Sequence, residues 1–357
     1  MRSAVRRRLR IYLAMVGLST IVSSVYGALA GLVSVGHALY GAGVGAIQGF
    51  VVSAFITGGE IYGDTTRLGR AFERAPFLVS VVVKGLAYGG FIVLVVGGEF
   101  GVRVLGLRPA RPVLDNPMTP LSFTFAFGLT FAVLFVLEIS RIVGGRTLRD
   151  IVLGRYHHPR PEDRFFLFVD ITGSTALAER LGPAAVHRFL DRVFRLAADP
   201  VDEHHGEVYQ YVGDEMVVTW TARSTRHGAA PVACFFAIAR ALKAARPAFE
   251  REFAAAPRVR GALHAGPVVT GEVGARRRAI VFHGDVVNTT SRIEQATRDL
   301  DRPFLASADA LDRLSLDGTF ALEDLGPQHL RGREAPVRVF AISEVASASA
   351  GSGGLAG

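Results

Sequence analysis

The chain has 357 residues, enough for two domains, and half of its residues are hydrophobic, with a mean hydropathy of +0.31. That is too apolar for an ordinary soluble enzyme, and the excess lies in long tracts before Pro161. The formal charge of +8 divides in the same way: residues 1–160 carry 17 Lys/Arg against 7 Asp/Glu and the rest 23 against 25, so the pI near 10.1 gives no argument for nucleic-acid binding.

Arg2, Arg6, Arg7, Arg8 and Arg10 precede an apolar tract from Ile11 to Val35. A signal peptide is the rival reading, but the tract is long and further tracts follow. These run from Leu39 to Ile61, Phe77 to Val96 and Leu121 to Val143, each near the roughly 20 residues that cross a bilayer as a helix. The expectation is a helical membrane domain of four spans over residues 1–143. Gly41, Gly43, Gly45 and Gly49 permit close helix approach, here read as support for pairing two chains. Lys84 is expected to snorkel to the interface and Gln48 to bond a neighbouring helix. Arginines at the N-terminus, at 67, 70 and 74, and at 141, 146, 149 and 155 fall on one side of a four-span topology, which the positive-inside rule makes cytoplasmic. Arg103, Arg108 and Arg111 fall on the other side and conflict with that rule. The expected location is a cell (inner) membrane, multi-pass, with the globular half in the cytoplasm.

Residues 144–163 read as a connector, with a short helix over Thr147–Tyr156 ended by His157-His158-Pro159-Arg160-Pro161. From 164 to 345 the pattern is globular. Phe165-Phe-Leu-Phe-Val169 is an apolar run of strand length ending in Asp170-Ile171. Gly173, Ser174 and Thr175 then open a helix whose free N–H groups favour an anion. Helical periodicity covers Pro183–His204 and His227–Phe253, where the single cysteine, Cys234, reads as a small core residue. Between them, strand-like runs from Glu207 to Trp220 flank Gly213-Asp214, a hairpin signal that puts Asp214 at a tip. If this hairpin lies beside the first strand, two carboxylates converge and repel, and a divalent cation relieves that. Val259–His264 and Val268–Val273 read as two strands around an Ala265-Gly266-Pro267 turn. Gly284–Thr297 reads as a helix with Asn288 and Arg292 on one face, and Val337–Ile342 as a closing strand. Residues 346–357 read as a disordered tail.

Three stretches together resemble the class III nucleotidyl cyclases. They are Phe165–Thr175, the Gly213-Asp214 hairpin, and Gly284-Asp285 leading to Asn288 and Arg292. Each is weak alone; their order and spacing make the set specific. The resemblance covers roughly residues 164–342. It implies an α+β ferredoxin-like catalytic domain, with two Mg2+ or Mn2+ ions bound at Asp170, Ile171 and Asp214. It further implies that Asn288 orients the ribose and Arg292 stabilises the transferring phosphate, with Gly173, Ser174, Thr175 and one of Arg331 and Arg333 at the phosphates. The substrate would be ATP and the products 3′,5′-cyclic AMP and pyrophosphate.

The departure is in base recognition. Adenylate cyclases of this family usually have Lys where this chain has Gln210, and Asp or Thr where it has Val281. The usual guanylate pattern of Glu and Cys is absent too. A GTP or pyrimidine-nucleotide cyclase stays open as an alternative, as does a membrane receptor with a cyclase-like domain that binds nucleotide without turnover. The family's sites form between two domains, and this chain carries both halves once, which implies a head-to-tail homodimer.

Overall fold

The computed structural model describes residues 2–35, 38–63, 66, 77–97, 119–225, 228–276, 278–316 and 318–345. The chain forms two compact units, Arg2–Gly145 and Arg146–Gly357. The arginines at 67, 70, 74, 103, 108 and 111 and the tail from 346 lie outside the described residues.

The first unit is helical: α1 (Arg2–Val35), α2 (Ala38–Tyr62), α3 (Phe77–Ile92), a π-helical turn (Val93–Gly97) and α4 (Thr119–Val143). Among the described residues three helices are long and apolar enough to cross a membrane, Leu9–Leu32, Ala38–Tyr62 and Pro120–Leu137; the third expected tract contributes a shorter apolar segment, Val83–Gly97. Helix length alone therefore supports three spans where the sequence suggests four. Small residues bring α1 and α2 into backbone contact. A Cβ on Gly27 would sit 2.2 Å from the Gly41 carbonyl oxygen, and one on Gly45 would sit 2.2 Å from that of Ser23. Gly41 and Gly45 are thus consumed by packing within the chain, which corrects the reading of them as a surface for pairing two chains. Lys84 does not snorkel: its Nζ lies 2.8 Å from the buried Glu60 carboxylate, which also accepts from Tyr88 Oη at 2.8 Å.

The second unit is a sheet covered by helices. After α5 (Gly145–Val152) come β1 (Arg160–Ile171), α6 (Ser174–Leu181), α7 (Pro183–Glu203), β2 (Glu207–Val212), β3 (Glu215–Thr221), α8 (Ala222–Thr225) and α9 (Ala230–Phe253). Then follow β4 (Val259–Val273), β5 (Ala279–His283), α10 (Asp285–Asp299), β6 (Phe304–Ser307), α11 (Ala308–Leu311), β7 (Phe320–Gln328) and β8 (Val337–Glu344). The sheet order is β2-β3-β1-β4-β6-β8-β7, with β5 on β4.

β1 is buried on both faces, which explains its unbroken apolar run. Phe165, Leu167, Val169 and Ile171 pack with α7 and α9, around Phe189, Phe235 and a buried Cys234. Phe166 and Phe168 pack on the opposite side with Val286 at the start of α10. β1 starts inside the stretch read as connector. Glu162 and Arg164 pair at 2.7 Å, and the buried Arg164 guanidinium donates to Tyr156 Oη at 2.9 Å, which fastens Tyr156 to the sheet.

The Ala265-Gly266-Pro267 turn does not form. β4 is one strand of 15 residues, with Ala265, Gly266 and Pro267 in register with Phe165, Arg164 and Asp163 of β1. Pro267 is tolerated because its other edge is between partners: pairing with β6 ends at Leu263 and pairing with β5 begins at Val269. Gly266 makes room for α10, since a Cβ there would sit 2.8 Å from Val286 Cγ2.

Candidate active site

Period-2 alternation along β1 carries Asp170 onto the face of Phe166 and Phe168, the face that α10 covers. Asp170 is only 6% exposed. Its register partner on β3 is Glu215, so the Gly213-Asp214 tip lies next to it. Gly213 has φ +63°, the left-handed backbone that lets so tight a tip form. The Ser174 hydroxyl, at the start of α6, donates to Asp214 Oδ2. Gly173 caps that helix with φ +76°, and Thr175 is exposed in its first turn.

The site is dense in negative charge. Asp170 is pushed up to about 6, first by burial and then by the charges of Asp214 and Glu294. Glu215 is pushed up to about 7 by burial, then by Glu294, Asp170 and Asp214. Burial also raises Glu294, which is 4% exposed. Against these carboxylates stands Arg298 in the last turn of α10, with Nη2 2.9 Å from Asp170 Oδ2 and 3.5 Å from Glu294 Oε1. Glu215, Glu294 and Arg298 have no role in the sequence expectations. The spacing of Glu294 and Arg298 reads as an ordinary helix-surface pair. Only the register of β1 against α10 reveals that it faces Asp170.

These groups suit a hard divalent cation. Among the described residues no three His, Cys, Asp or Glu side chains form a preformed cage. Asp170, Asp214 and the main-chain carbonyl of Ile171 are oxygen donors, and a set this small suits an ion that keeps water and phosphate oxygens as its other ligands.

Asn288 and Arg292 lie earlier on α10. Asn288 is exposed, and the Arg292 guanidinium lies against Gly332, whose added Cβ would be 3.5 Å from Arg292 Nη2. Arg333 pairs with Asp285 Oδ2 at 3.1 Å and donates to Thr289 Oγ1, while Arg331 is exposed. With a rise of about 1.5 Å per residue, Asn288 lies about 15 Å along the axis from Arg298, the residue that touches Asp170. The structure therefore brings Asp170 beside Asp214 at the end of β1, and sets Asn288 and Arg292 one turn apart on α10.

Gln210 is exposed beside a register shift in β2, and Val281 of β5 is half-buried opposite Gly271 of β4. They flank a contact between Tyr209 and Phe282, whose rings meet at 4.7 Å, with the Arg164 guanidinium 4.6 Å over Phe282.

Residues 158–344 match the family described as Adenylate and Guanylate cyclase catalytic domain. Adenylate cyclase 2 of Rhizobium meliloti (strain 1021) is 33% identical over 283 residues, which is 79% of this chain and 75% of that protein. Adenylate cyclase 1 of the same organism is 29% identical over 185 residues, 51% of this chain but only 28% of that protein. Among solved structures, a bacterial light-regulated adenylyl cyclase superposes with a TM-score of 0.53 at 20% identity, covering 64% of this chain and 67% of that one, a likeness of fold.

Proposed function

The chain belongs to the adenylate and guanylate cyclase family, and from that premise we propose that it is a membrane-anchored adenylate cyclase acting as a homodimer. The observation that carries this reading is the convergence of Asp170 and Asp214 at the end of β1, with Asn288 and Arg292 displaced along α10.

The reaction joins the ribose 3′-oxygen of ATP to the α-phosphorus. As that bond forms, the bond from the α-phosphorus to the α,β-bridging oxygen breaks, pyrophosphate leaves, and the hydroxyl proton passes to solvent. Asp170, the Ile171 carbonyl and Asp214 would hold two Mg2+ or Mn2+ ions. When bound, such ions lower the pKa of the 3′-hydroxyl and neutralise the triphosphate. Gly173, Ser174 and Thr175 offer N–H groups to phosphate oxygens at the start of α6. Asn288 orients the ribose. Arg292 stabilises the charge that builds on the transferring phosphate, a task suited to a planar and permanently charged fork. Because Asn288 and the aspartates stand apart in one chain, the complete site takes the aspartates from one protomer and Asn288 and Arg292 from its partner. Two such sites form per head-to-tail dimer.

Membrane anchoring is supported by the three long apolar helices. The basic N-terminus and the arginines after α4 favour a cytoplasmic catalytic domain. The choice of ATP draws on the similarity to adenylate cyclase 2 of Rhizobium meliloti.

The test is to incubate the purified full-length protein with each nucleoside triphosphate and manganese and to identify the cyclic product. Cyclic AMP from ATP is expected. Binding without any cyclic product would make the chain a nucleotide-binding receptor. A better yield from GTP, CTP or UTP would overturn the assignment of the base.

A further inference from the structure

Arg298 is the guanidinium held closest to the carboxylate cluster, and its position is unusual for a surface residue. Its side chain is 58% exposed, whereas those of its partners Asp170 and Glu294 are 8% and 6% exposed. The ion pair therefore joins a buried carboxylate to a group that solvent reaches from behind. The C-terminal turn of α10 favours a cation there in any case. Arg260 also acts on Glu294, but from β4, with its Nε turned 3.4 Å from Thr172 Oγ1. Asp170 Oδ2 is thus committed to Arg298, and it is one of the oxygens that a divalent cation would use. A guanidinium cannot relieve the conflict by losing its proton, so it must be displaced or must share the carboxylate at the cost of repulsion.

We propose that Arg298 is a positioning residue that competes with the divalent cation for Asp170, keeping affinity for the free cation low until the nucleotide triphosphate adds its own oxygens. This rests on the reading of Asp170 as a cation ligand. In this arrangement the cluster stays partly neutralised between turnovers, and the cation arrives with the substrate.

Mn2+ is titrated into the full-length protein in detergent without nucleotide, and free Mn2+ is counted by electron paramagnetic resonance. Arg298→Ala and Arg298→Met should each bind Mn2+ about tenfold more tightly than wild type, the order expected for one partly solvated unit charge. Arg298→Lys should stay near wild type. The Met variant keeps the length of the side chain, so agreement of Ala and Met assigns the effect to charge. Unchanged or weaker Mn2+ binding in both variants overturns the proposal. Asp170→Asn tests the underlying reading separately: if it binds Mn2+ as tightly as wild type, Asp170 is no ligand, whatever Arg298 does.

Discussion

The two ends of α10 differ in charge and connection. Its C-terminal end is packed on β1, where Glu294 and Arg298 meet Asp170. At its N-terminal end Val286 packs on Phe166 and Phe168 of β1, Asn288 is exposed, and Asp285 is tied to Arg333 from the loop before β8. One end gathers carboxylates and suits cations; the other gathers guanidinium groups and suits phosphates. About 15 Å of helix axis separates Asn288 from Arg298. Under the proposed function the cation half and the phosphate half of a site come from two protomers, and this spacing of Asn288 from Arg298 supports that reading.

The largest expected effect comes from the acidic half. Asp170→Ala or Asp214→Ala should reduce cyclisation by about 10³-fold or more, since metal-assisted chemistry loses a ligand. Both variants should stay folded, because removing one of several crowded carboxylates relieves repulsion. Circular dichroism and product assays check the two statements, and near-normal turnover by either folded variant would sink the assignment. Mixing comes next. Asp170→Ala and Arg292→Ala protomers, each inactive alone, should together restore activity, because a mixed head-to-tail dimer has one site with both lesions and one with neither. About half of wild-type activity per mixed dimer is the ceiling for two independent sites. No recovery in proven mixed dimers would mean that the site closes within one protomer.

What could be read beforehand follows the range of the interactions. The β1 run, the Gly213-Asp214 tip and the helix of Asn288 and Arg292 are local patterns, and the structure contains each of them. The Ala265-Gly266-Pro267 turn was misleading because Gly and Pro are turn residues in isolation. Here one accommodates Val286 and the other falls in a gap between neighbouring strands about 40 residues on in sequence or less. The glycines of α2 revealed close packing but not its partner, which is α1 of the same chain. Arg298 was hidden for a different reason. Its importance lies in which face of β1 meets α10, and no spacing within α10 encodes that.

The basic half can be divided further. Arg331 and Arg333 look equivalent in sequence, but Arg333 is bound to Asp285 and Thr289 whereas Arg331 is exposed. Arg333→Ala should therefore lower the melting temperature by a few degrees, in line with up to about 1 kcal/mol for a partly exposed pair. Arg331→Ala should leave melting unchanged and raise KM for the triphosphate severalfold, as loss of a solvent-screened phosphate contact would. If Arg331→Ala changes neither quantity, Arg331 is not a phosphate contact.

The smallest expected effect concerns the base. Gln210 and Val281 stand where the resemblance leads one to expect a lysine and a polar partner; here they flank the Tyr209–Phe282 contact. The amide of Gln210 can donate and accept, so it can pair with an adenine edge, while the Val281 side chain offers neither function. Discrimination between bases rests on leaving polar groups of the site unpaired when the wrong base enters. One amide leaves fewer such groups than a full polar pair, so the preference for ATP should be weaker than in an enzyme with both. Gln210→Ala should then reduce the ATP preference more than the overall rate with manganese, because Asp170, Asp214 and Arg292 are untouched. Initial rates with ATP, GTP, CTP and UTP for both proteins give the ratios. Ratios unchanged by the substitution would exclude Gln210 from reading the base.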